Sequence, residues 1–73
     1  MKESMHTTTL TAIIHQEDDL FVAECPEVGT ASQGHSIEEA LTNLKEATEL
    51  YLEEFPQHGP VGRAFLTTFE AQL

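Results

Sequence analysis

Positive charge is nearly missing from this chain: Lys2, Lys45 and Arg63 stand against thirteen Asp and Glu, a formal net charge of −10 over 73 residues. Nucleic acid binding draws most of its affinity from Lys and Arg that neutralise phosphates, so direct DNA or RNA binding is not expected. Cysteine occurs once, at Cys25; no internal disulfide can form, and a lone thiol agrees with a reducing compartment. No apolar run approaches the roughly 18 to 20 residues of a membrane-spanning helix. The N-terminal MKESMHTTT also lacks the apolar centre of a signal peptide, so a cytoplasmic location is expected. Repeats and low-complexity tracts are absent as well.

What is present reads as one domain over residues 1–73, with residues 1–6 polar and expected to fray. A chain this small hides only about 60% of the surface its unfolded form exposes. Its core must be thin, and a partner chain is the simplest source of further stability. The acidity suits a basic protein partner, and it also keeps a small domain soluble.

The pattern along the chain predicts β-β-β-α-β. Residues 7–14, TTTLTAII, are rich in β-branched side chains and predict a first strand; residues 15–19, HQEDD, predict a turn. Residues 20–25, LFVAEC, predict a second strand that stops at Pro26, which supplies no ladder N–H. Residues 29–34, bounded by Gly29 and Gly34, predict a third strand, the two glycines serving a turn and a close backbone approach. Ser36-Ile37-Glu38-Glu39 is a capping box, in which Ser36 accepts the Glu39 N–H and the Glu39 carboxylate returns to the Ser36 N–H. Ile37, Ala40, Leu41, Leu44, Ala47, Thr48, Tyr51 and Phe55 then recur at helical spacing, with Glu38, Thr42, Lys45, Glu46, Glu49 and Glu53 on the opposite side. Pro56 closes the helix, residues 57–60 form a loop, and residues 64–71, AFLTTFEA, alternate as a fourth strand.

A single helix covers one face of a sheet and leaves the other open. Ile13 beside Ile14, Phe21 beside Val22 and Phe65 beside Leu66 place apolar groups on both faces. A bare apolar face of that size is unusual on a soluble monomer, so a homodimer or higher oligomer is expected.

Catalysis finds little support. Two-metal phosphodiester cleavage needs converging carboxylates, and residues 8–14 contain none. His6, His15, His35 and His58 are scattered without the close His or Cys pairs of zinc sites. Cys25 at a strand end reads as a packed thiol. No catalytic, cofactor-binding or metal-binding residue is assigned.

Residues 25–54, CPEVGTASQGHSIEEALTNLKEATELYLEE, preceded by LFVAE and followed by LTTFEAQL, resemble the HicB-like antitoxin family. Its pattern runs from Cys-Pro through Gln-Gly to a Thr/Ser-x-Glu-Glu-Ala helix start. The resemblance implies a partly degraded RNase H-like α+β fold, with a four-stranded mixed sheet of order 3-2-1-4 and one helix on one face. It also implies a partner: a small basic HicA-type toxin that cleaves mRNA and whose active site the antitoxin masks. Glu38, Glu46, Glu49 and Glu53 on the helix, with Glu17, Asp18 and Asp19 in the hairpin turn, are the candidate partner-binding residues, placed to stand where the toxin holds RNA phosphates. Family members often continue into a C-terminal DNA-binding domain, which is not expected here because the sequence ends at Leu73. The alternative is a stand-alone oligomeric binding or scaffold domain without a toxin.

Overall fold

The structure, a computed structural model, describes residues 7–56 and 62–73. Three strands and a helix follow one another: β1 (Ile13–Glu17), β2 (Leu20–Cys25), β3 (Thr30–Gly34) and α1 (Ile37–Glu54). The strands form an antiparallel sheet of order β1-β2-β3, with Ile14 opposite Ala23 and Ala23 opposite Ser32. Side chains alternate across a strand, so Ile14, Phe21, Ala23, Cys25 and Thr30 share the face on which α1 lies. The helix packs mainly over β3 and less over β2. Ala23, Cys25, Ala40 and Leu44 are the buried core, with Leu10, Ile14, Phe21 and Val28 partly buried around it. The other face carries Ile13, Leu20 and Val22 among His15, Glu17, Glu24 and Gln33. It is therefore a mixed surface and less apolar than the sequence pattern suggests.

The four-stranded sheet of order 3-2-1-4 is corrected by the structure, in which the described residues form three antiparallel strands and no parallel crossover. Residues 64–71, expected as the fourth strand, lie in a segment without strand or helix, and Phe65, Leu66 and Phe69 are exposed. Alternation makes a segment fit to be a strand, but only a ladder partner makes it one, and this segment pairs with neither β1 nor β3. The α+β class itself stands.

The first strand is also displaced, running from Ile13 to Glu17 rather than over residues 7–14. Continuing the register that pairs Ile13 with Glu24 would set Thr11 against Pro26, which has no N–H to offer. The Glu27 carboxylate takes over instead: Thr11 donates its N–H to Oε1 at 3.1 Å and its hydroxyl to Oε2 at 2.6 Å. At the other end the turn needs only Asp18 and Asp19, because Glu17 still pairs with Leu20. Asp18 takes φ 55, a left-handed conformation that Asp tolerates better than most side chains.

Local signals placed the helix well. Ser36 is the N-cap and its Oγ accepts the Glu39 N–H at 3.0 Å. The Glu39 carboxylate reaches the N–H of His35 rather than that of Ser36, one residue further out. Phe55 ends the helix, donating its N–H to the Tyr51 carbonyl at 2.8 Å. Gly34 is where sheet and helix meet most closely: a Cβ there would lie 2.6 Å from the Ala40 nitrogen. Gly29 serves the turn before β3 with φ 92, and its N–H bonds the Cys25 carbonyl at 2.7 Å. Two further clamps fix the helix to β3, a 2.6 Å hydroxyl contact between Thr30 and Thr48 and a 2.8 Å bond from Asn43 Nδ2 to the Gln33 carbonyl. Tyr51 and Phe55, which share the helical spacing of the buried residues, are 40% and 57% exposed and stack on each other at 4.9 Å between ring centroids. They lie beyond the last helical position that the short sheet can cover. Residues 1–6 and the loop expected at 57–60 fall outside the described residues.

Candidate interaction surface

The acidic side of α1 follows from its spacing. Glu38, Thr42, Lys45, Glu46, Glu49 and Glu53 fall within one arc when each residue turns about 100°, and the buried Ala40, Leu44 and Thr48 fall on the opposite arc. All four of these glutamates are exposed. At about 1.5 Å per residue they run along roughly 22 Å of helix. Lys45 is the single cation among them, and its Nζ donates to Glu49 Oε2 at 2.9 Å, one helical turn away. That hydrogen bond and the attraction of the same carboxylate hold Lys45 above its ordinary ionisation range. Among the described residues Glu38, Glu46 and Glu53 have no ion-pair partner.

The hairpin acids form a different patch. Phe21 pairs with Gly34, so the β1–β2 turn lies at the same end of the sheet as the start of α1. Glu17, Asp18 and Asp19 are exposed there, nearer the helix start than to Glu49 and Glu53 at the far end. His15 Nε2 sits 3.0 Å from Glu17 Oε2, an ion pair whenever the imidazole is protonated. Gln16 Nε2 donates to the Asp18 carbonyl at 3.3 Å and steadies the turn. The fold thus separates the seven predicted residues into a helical stripe and a turn cluster.

A groove of about 540 Å³ runs beside α1 on the side away from β3. Leu41, Leu44 and Leu52 form its helix wall, Leu10 and Ala12 its opposite wall, and Cys25 is at its base. Lys45 and Glu49 also line it, which brings the acidic stripe to its rim. The available signal was Leu52, eleven residues after Leu41 and on the same helix side, yet outside the stripe that the strict core pattern picks out. Beside the groove, the Thr11 bonds draw the Glu27 carboxyl below its ordinary value, the Thr11 hydroxyl being the largest cause. The Cys25 thiol lies 3.5 Å from the same carboxylate.

Among the described residues no three His, Cys, Asp or Glu side chains are grouped to hold a metal ion. Glu17 is the one acid on β1, at its last position. No described helix is long and apolar enough to cross a membrane.

The chain is 48% identical over 44 residues to a UPF0150 protein of Helicobacter pylori (strain J99), a stretch covering 59% of this chain and 61% of that protein. The chain is thus homologous to a UPF0150 protein over a short stretch and spans about three-fifths of its length. That name carries no activity. No protein-family model matches the chain, and no solved structure matches it.

Proposed function

We propose that this chain is a HicB-like antitoxin, a non-catalytic cytoplasmic inhibitor that binds a small basic HicA-type toxin and masks its mRNA-cleaving site. The observation that carries this reading is the exposed acidic stripe of α1, held rigidly by the Ser36 cap, the Gly34 contact and the Thr30–Thr48 and Asn43–Gln33 clamps. Carboxylates fixed on a helix present negative charge to a basic surface without reorganising, and they accelerate the encounter by long-range attraction. The last turn adds to the argument. It holds Glu53 and Glu54 and no basic residue, although negative charge at a helix C-terminus opposes the helix dipole by about 0.3 to 1 kcal/mol per group. Stability does not account for that placement, whereas a basic partner does.

The test is a pull-down from native cells followed by binding of the recovered basic protein to two charge-reversed variants. Glu46→Lys/Glu49→Lys/Glu53→Lys is expected to slow association and to flatten its salt dependence, and co-expression should no longer rescue growth. The turn variant Glu17→Lys/Asp18→Lys/Asp19→Lys reports separately on the second patch. Rescue that survives both reversals, or a lysate that yields no small basic protein, refutes toxin masking by these acids.

A second reading, a stand-alone oligomeric binding domain, is favoured by one observation: Phe55, Phe65, Leu66 and Phe69 are large, apolar and exposed. It requires self-association and no basic partner.

A further inference from the structure

The chain carries an apolar groove and, separately, an apolar segment with nothing to cover it. In residues 62–73 Phe65 is 83% exposed and Phe69 86% exposed, with Leu66 also open to solvent. No described residue after Leu52 lines the groove. The Cα radius of gyration is 14.5 Å, whereas a compact chain of this length has about 11 Å; the long axis of 54 Å against 27 and 17 Å shows the same extension. The C-terminal segment therefore does not fold back on its own body.

We propose that residues 64–71 of a second copy of this chain occupy the groove beside α1, and that the exchange is reciprocal, giving a two-fold dimer. The dimensions agree. The helix wall from Leu41 to Leu52 is about 16 Å long, eleven residues at about 1.5 Å each. An extended run from Phe65 to Phe69 spans about 13 Å and puts both rings, with Thr67 between them, on one side. The two rings can lie along the wall together. The area agrees as well: a Phe buries about 150 to 250 Å², so two exchanged segments contribute on the order of 1,000 Å² and the two grooves a few hundred more, at the lower end of what a stable interface buries. Because each copy supplies one segment and one groove, the contact closes on itself and stops at two. This inference does not rest on the toxin-masking proposal; it gives the expected self-association a segment and a seat.

Size-exclusion chromatography with light scattering, on purified protein without any partner, tests it. Wild type is expected at twice the 8.1 kDa chain mass. The tail variant Phe65→Ser/Phe69→Ser and the groove variant Leu41→Glu, changed at a residue already 46% exposed, should each run as monomers with unchanged far-ultraviolet circular dichroism. Mixed in equal amounts they should recover a dimer, since the intact tail of one meets the intact groove of the other. A wild-type monomer throughout the micromolar range overturns the proposal. So does a tail variant that stays dimeric, which would place the interface on another surface, or a mixture that stays monomeric while both variants remain folded. Failure here leaves binding of a basic toxin untouched, and loss of toxin binding leaves the dimer untouched.

Discussion

Replacing Gly34 with alanine should unseat the helix that carries the acidic stripe. The new Cβ would lie 2.6 Å from the Ala40 nitrogen and 2.9 Å from both the Glu39 carbonyl carbon and its Cβ. Two of these three are backbone atoms of the first helical turn, so no flexible side-chain end can move aside. Ordinary contact needs the start of α1 to shift by about 1 Å, and overpacking of this kind costs about 1 to 3 kcal/mol. Gly34 does not occupy the left-handed region, so alanine also restricts the unfolded chain and recovers about 0.4 to 1 kcal/mol. The clash wins, leaving a net loss of roughly 1 to 2 kcal/mol. For a domain of this size that lowers Tm by about 4 to 16 °C. Thermal unfolding followed by circular dichroism at fixed protein concentration measures it, the concentration being held because self-association would shift Tm by mass action. Gly29→Ala is the companion, since a Cβ there meets open space but φ is 92; its loss should be about 1 kcal/mol and arise from backbone strain alone. A Gly34→Ala protein as stable as wild type would show that helix and sheet do not approach at this point and would remove the geometric basis for a rigid acidic face.

Other consequences follow from the clamps and the cap. Thr48→Val should cost about 1 to 2 kcal/mol by leaving the Thr30 hydroxyl without its 2.6 Å partner, and the double variant Thr30→Val/Thr48→Val should recover most of that loss in denaturant unfolding; additive losses would mean the hydroxyls do not bond. Ser36→Ala should cost about 1 kcal/mol by freeing the Glu39 N–H, and an unchanged urea midpoint would contradict the cap. The Glu27 carboxyl, lowered in the folded protein from 4.5 by the Thr11 bonds, contributes stability that is fully present above its unfolded value and is lost as pH falls through the folded one. Tm measured below about pH 4.5 should therefore fall less steeply with acid for Glu27→Gln than for wild type; parallel slopes would show that the Thr11 bonds do not hold the anion.

Much of the framework was legible because its signals are local. The Ser36 cap, the stop at Pro26 and the two-strand hairpin depend on residues a few positions apart, and each lies where the pattern puts it, with shifts at the hairpin ends. The acidic arc of α1 was legible for the same reason, since helical spacing alone collects Glu38, Glu46, Glu49 and Glu53. The return bond of Glu39 was nearly so, missing by one residue. The start of β1 was not, because it depends on Thr11 meeting a carboxylate sixteen residues away. The exposure of Tyr51 and Phe55 was not legible for a related reason: spacing assigns them to the apolar stripe, but the sheet beneath is too short to cover them.

Sequence by itself determined the α+β class, the β-β-β-α order and the acidic face, because hydrogen bonds between near neighbours and the periods of strand and helix act before any long-range contact forms. Tertiary structure alone decided the number of strands, the groove beside Leu41 and Leu52, and the separation of the hairpin acids from the helical ones. Residues 64–71 show why: their alternation is as good as that of a strand, yet a strand exists only when another backbone lies alongside, and that depends on where the rest of the chain, or a second copy of it, has gone.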